Sequence, residues 1–191
     1  MTLHRSTAIG ISCLVLTIGF AGVAQDSPLV AAAKRAKQQR AAVWSLQLTP
    51  DIRTVRWFNS RHTDLRDFKG QVFLIDLWAT WCSPCVSALP ELQALAREFG
   101  PRGFTVVLIH SRLTRSGLGN DMDTPAENVL PRFIADHKIV VPVAIAEQNE
   151  IEKLGVRGFP HYLLIDRKGF VRYNRAGKYP EKAEIQKLLT E

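Results

Sequence analysis

Cys82 and Cys85 stand two residues apart, with Ser83 and Pro84 between them. Thiols at that spacing offer three chemistries: half of a metal knuckle, a short structural disulfide, or a couple that cycles between dithiol and disulfide. A metal site needs two more ligands, and His62, His110, His137 and His161 repeat neither a C-x-x-C nor an H-x-x-x-H spacing. A structural disulfide closing so short a loop removes little chain entropy. The redox couple needs no further residue, and the other two stand as alternatives.

The pair lies where two elements meet. Val72 to Trp78 is a continuous apolar run with the length and β-branched content of a strand buried on both faces, and Phe104 to Ile109 is a second. Pro84 to Phe99 carries Val86, Leu89, Leu92, Leu95, Ala96 and Phe99 along one helical face, stops at Gly100-Pro101, and should kink at Pro90. A strand-to-helix junction thus places Cys82 at the helix N-terminus. Unpaired N–H groups and the positive end of the macrodipole stabilise a thiolate there, and Cys85, one turn further in, can reach that sulfur.

Beyond the junction, Thr124-Pro125-Ala126-Glu127 predicts a capped helix that Pro131 should kink or end early. A short helix is expected over Asn149 to Gly155. Tyr162 to Asp166 and Phe170 to Tyr173 read as an antiparallel hairpin turned through Arg167-Lys168-Gly169, and Pro180 to Leu189 as a last helix with Ile185, Leu188 and Leu189 inward. The expected fold class is therefore α/β, a central mixed β-sheet covered by helices on both faces.

The 191 residues are 46% hydrophobic and 23% charged, which excludes a disordered or collagen-like chain. The net charge of +7 comes from basic residues interspersed with acids along the chain. No aromatic-interleaved basic patch is present, so no nucleic-acid partner is expected. Residues 1–24 have a basic start, an apolar run from Ala8 to Phe20 and small Gly22 and Ala24 at the end. That is the layout of a signal peptide, with an uncleaved membrane anchor as the alternative; cleavage discards Cys13 and sends the protein to the periplasm or another exported compartment. Residues 25–52 are Ala-, Lys-, Arg- and Gln-rich and read as a basic helical linker, leaving 53–191 as the folded domain.

Ile75-Asp76-Leu77-Trp78-Ala79-Thr80-Trp81-Cys82-Ser83-Pro84-Cys85 resembles the active-site signature of the thioredoxin superfamily. Gly155-Val156-Arg157-Gly158-Phe159-Pro160 resembles its second signature, a loop ending in a cis-proline that faces the disulfide. Leu65 to Val72 and the insertion before Pro160 are closer to exported thioredoxin-like reductases of the TlpA and cytochrome-maturation type. The resemblance covers residues 55 to 191 and implies a thioredoxin fold. It departs at Ala88, where many such reductases carry Glu, while Asp76 matches the buried acid of ordinary thioredoxin.

An Asp inside an apolar strand is costly unless paired or protonated, and a carboxyl beneath the disulfide can accept and return the Cys85 proton. Trp81 is expected on the rim a substrate contacts, and Phe159 and Pro160 are expected to offer backbone to an extended peptide. The resulting expectation is an exported thiol-disulfide oxidoreductase. Cys82 attacks, and Cys85 resolves with help from Asp76. Ser83-Pro84 stabilises the Cys82 thiolate weakly, which favours the disulfide and a reductant. Cysteine-containing protein substrates and a membrane electron donor are the expected partners, with a membrane tether if the leader stays. The Cys82–Cys85 disulfide is the expected redox group, without metal or other cofactor. A redox-inactive peptide-binding module, a disulfide oxidase or isomerase, and a peroxiredoxin are the alternatives; Thr80-Trp81 does not supply the surroundings of the last.

Overall fold

A computed structural model of the chain describes residues 27–32, 35, 48–112 and 125–191. The leader and most of the linker predicted from sequence lie outside the described residues. Six strands form one sheet in the order β1-β4-β3-β2-β5-β6: β1 (Thr54–Phe58), β2 (Val72–Trp78), β3 (Phe104–Ser111), β4 (Val143–Ala146), β5 (His161–Ile165) and β6 (Val171–Ala176). The three central strands β4, β3 and β2 run parallel, and β1, β5 and β6 join antiparallel. β2 lies between β3 and β5 and is buried along its whole length, as its apolar residues on both faces require.

Alternation along β2 sorts the core. Val72, Leu74 and Trp78 face α1 (Ser83–Phe99), α2 (Ala126–Asp136) and α4 (Lys182–Thr190). Phe73, Ile75 and Leu77 face a cluster with Leu65 and Phe68 of a 3-10 turn and Ile151 of the short α3 (Gln148–Glu152). Both faces are covered, the first by the three long helices.

Two expectations need correction. Pro131 neither ends nor shortens α2, which runs on to Asp136 because Leu130, Phe133 and Ile134 pack on the core on both sides of the proline. The start of that helix also differs, since Pro125 takes the N-cap position without a side-chain cap bond; Thr124 lies outside the described residues. α1 likewise continues through Pro90.

The folded part reaches back before residue 53. Leu48 bridges Phe170, Thr49 N–H donates to the Gly169 carbonyl at 2.6 Å, and Ile52 is buried. Residues 48–52, assigned to the linker by composition, therefore dock on the domain.

Candidate active site

Cys82 is the N-cap residue of α1, in extended backbone, and forms a disulfide with Cys85 across Cα atoms 5.3 Å apart. Its own N–H donates to the Ala79 carbonyl at 3.1 Å, and its Sγ accepts from Cys85 N–H at 3.3 Å. The first turn of α1 thus places one backbone donor on the sulfur that will carry negative charge, as the junction predicts. Pro84 contributes no N–H to that turn. Cys82 is 5% exposed and Cys85 0%, so the first cysteine is more buried than expected, but the order of access is the expected one.

Trp81, 49% exposed, stands next to the disulfide with its ring 6.0 Å from that of Phe159. The Phe159–Pro160 peptide bond is cis. Trp81 and Phe159 line a cavity of about 300 Å³ with Ile151 and Val156 in its wall and Gln148, Glu152 and Arg157 around it. The structure thereby brings Cys82, Trp81, Phe159 and Pro160 to one end of the sheet. Nothing in the sequence of Gln148–Glu152 distinguishes α3 from a surface helix until the fold places it at the cavity.

Asp76 is 0% exposed and lies on the face that Leu74 and Trp78 share with both cysteines. Its cross-strand neighbours are Leu108 and Tyr162. Neither carboxyl oxygen has a hydrogen-bond partner among the described residues. Burial alone pushes this carboxyl well above the usual range, so it holds its proton at a pH where an exposed Asp has lost it. Burial likewise raises the Tyr162 hydroxyl.

His110, beside Trp78 in the register of β3 and β2, is also 0% exposed. Its Nε2 accepts from Thr80 N–H at 2.9 Å, and its Nδ1 donates to the Ser111 carbonyl at 2.5 Å. The Trp78 ring meets it edge-on at 5.2 Å. Desolvation lowers its pKa to about 4, against smaller raising effects of the Ser111 carbonyl and Glu127, so the ring is neutral near pH 7. In the sequence His110 is one of several isolated histidines. Only the strand register shows that it reaches the active-site loop. Among the described residues, no group of three or more His, Cys, Asp or Glu side chains is placed to hold a metal.

Residues 49–189 match the Redoxin family model. The thioredoxin-like protein YneN of Bacillus subtilis is 24% identical over 142 residues, covering 74% of this chain and 77% of that protein. The thiol-disulfide oxidoreductase ResA of Bacillus thuringiensis is 29% identical over 127 residues. That alignment spans 66% of each chain, just under two thirds of the relative's length. Among solved structures, a thioredoxin-like superfamily protein superposes with a TM-score of 0.64 at 28% identity, covering 75% of this chain and 97% of the other. A thiol-disulfide isomerase from Corynebacterium glutamicum gives 0.61 at 24%, covering 76% and 96%, and shares the thioredoxin fold.

Proposed function

The chain belongs to the Redoxin family, and from that premise we propose that it is an exported thiol-disulfide oxidoreductase working as a reductant of protein disulfides. The observation that carries the reading is the Cys82–Cys85 disulfide at the N-terminus of α1, flanked by Trp81 and the Phe159–Pro160 loop. In the reduced enzyme the Cys82 thiolate attacks one sulfur of a substrate disulfide. The substrate S–S bond breaks, its other sulfur leaves as a thiolate and takes up a proton, and a Cys82–substrate disulfide forms.

Cys85 completes the exchange. In the reduced enzyme Asp76 has given its proton to Cys85, and during resolution the Cys85 thiol returns that proton to the Asp76 carboxylate as its sulfur attacks Cys82 Sγ. The second substrate thiolate departs, leaving the substrate reduced by two electrons and the enzyme oxidised. Asp76 returns the proton when a dithiol donor reduces the enzyme again. A buried carboxyl without a hydrogen-bond partner suits that role, because its proton affinity is raised toward that of a thiol.

Trp81 and the cavity walls Ile151, Val156 and Phe159 favour a peptide with apolar side chains near its cysteine, and the Phe159 backbone offers it strand-like pairing. Substrates are cysteine-containing proteins. The leader read in residues 1–24 supports export, which in turn calls for an electron donor at the membrane. Among the described residues no helix is long and apolar enough to cross a membrane.

Insulin reduction with dithiothreitol as donor is the test. The wild type should precipitate the insulin B chain, and Cys82→Ser should not. Equal rates for the two would return the protein to the alternative of a redox-inactive peptide-binding module.

A further inference from the structure

His110 is fully buried yet takes no part in the exchange chemistry. We propose that it is a positioning residue for that chemistry: its Nε2 lone pair pins the Thr80 N–H and thereby fixes where Trp81 and Cys82 stand relative to the Phe159–Pro160 loop. The inference rests on Cys82 being the attacking sulfur.

β2 ends at Trp78, and the chain then leaves the sheet to enter α1 at Cys82. In that crossing Thr80 N–H has no strand to pair with, and the imidazole supplies its acceptor at 2.9 Å. The acceptor can point nowhere else. Nδ1 donates to the Ser111 carbonyl, which fixes the tautomer and leaves Nε2 as the lone-pair atom. The Trp78 ring packs against the imidazole nearly perpendicular, with centroids 5.2 Å apart. A pKa near 4 keeps that lone pair free of a proton at neutral pH.

The next residue ties down the opposite wall. Ser111 Oγ donates to Gln148 Oε1, and Gln148 is the first residue of α3 and lines the cavity with Trp81. Gln148 Nε2 in turn donates to Glu152 at 2.9 Å. Consecutive residues of β3 thus anchor the Trp81 side and the α3 side of the same cavity.

Two polar variants separate positioning from plain packing. Gln places its amide oxygen where Nε2 stands and can still accept from Thr80. Asn reaches only the Nδ1 position and can serve Ser111 but not Thr80. In the full-length reduced protein, His110→Gln should keep both the rate of Cys82 alkylation by iodoacetamide and kcat/KM for insulin within about twofold of wild type. His110→Asn should lower both by about tenfold, with a shifted pH midpoint for alkylation.

A merely structural His110 would lower the melting temperature in both variants and leave that midpoint alone. Indistinguishable alkylation midpoints and kcat/KM in the two variants would overturn the inference. Should His110→Asn not fold, His110→Met fills the site without an acceptor and carries the same contrast with His110→Gln. A wild type that reduces no insulin, with the alkylation contrast intact, would sink the reductase reading and leave the role of His110 standing.

Discussion

Asp76 and His110 are the two ionisable side chains buried on the helix-covered face of the central strands, and they are satisfied in opposite ways. His110 has a partner for each ring nitrogen, whereas the carboxyl oxygens of Asp76 have none among the described residues. Both are driven toward their neutral forms by the same desolvation, which lowers the base and raises the acid. A buried polar group with its hydrogen bonds made holds structure in place. One left without them keeps the desolvation cost in a form that proton transfer can draw on. The partnered group sits under the loop that must stay fixed, and the unpartnered one on the face that holds the thiol that must ionise.

The largest expected effect isolates the second half of the comparison. Cys85→Ala removes the group that Asp76 serves, so turnover should vanish and a Cys82–substrate adduct should appear in non-reducing mass spectrometry. An adduct on any other residue, or none, would break the link between Asp76 and resolution.

Next in size is the pH dependence of stability, where the two groups pull in opposite directions. An unfolded His binds its proton near pH 6.5, whereas folded His110 does so only near 4. Its contribution is therefore present above pH 6.5 and lost as pH falls toward 4, by on the order of 3 kcal/mol. Asp76 behaves in reverse. Its contribution is fully present below the unfolded value of 3.8 and is lost as pH rises toward its raised folded value. Urea unfolding from pH 4 to 8 should show His110→Gln flattening the rise and Asp76→Asn removing the fall. If both variants keep the wild-type profile, neither group is buried neutral.

Asp76→Asn keeps the shape of the side chain but cannot take up a proton. It should leave the first attack unchanged and slow collapse of the mixed disulfide by about a hundredfold, at the lower margin of general acid-base effects. Stopped-flow fluorescence of Trp81 and Trp78 resolves the two steps, and equal slowing of both would assign Asp76 to structure. The smallest effect is at the rim. Trp81→Ala should raise KM for insulin about threefold with kcat nearly unchanged, as expected for contacts made equally in the ground and transition states.

Much of this site was legible before the fold. The run from Val72 to Trp78, the helix after Pro84 and the cysteine spacing specify the junction, and Asp76 is conspicuous as the acid in an apolar strand. The edge strand β1 was missed because Thr54–Phe58 is half exposed and has no clean alternation, and β4 because four residues carry too little pattern. Pro131 misled because local propensity argues for a break, while the burial of Leu130 and the packing of Phe133 and Ile134 outweigh one lost backbone bond. His110 could not be found from sequence. Its function depends on a register that sets it beside Trp78 and under Thr80, and single-residue context carries no such information.

Equilibration of the protein with glutathione redox buffers, followed by alkylation and mass spectrometry, measures whether Cys82 and Cys85 form a reducing couple. The weakly stabilised Cys82 thiolate and the buried Asp76 carboxyl predict a potential near the thioredoxin end of the scale, about −270 mV. A potential above about −180 mV, the region of protein disulfide isomerase, would make the protein an oxidase or isomerase instead.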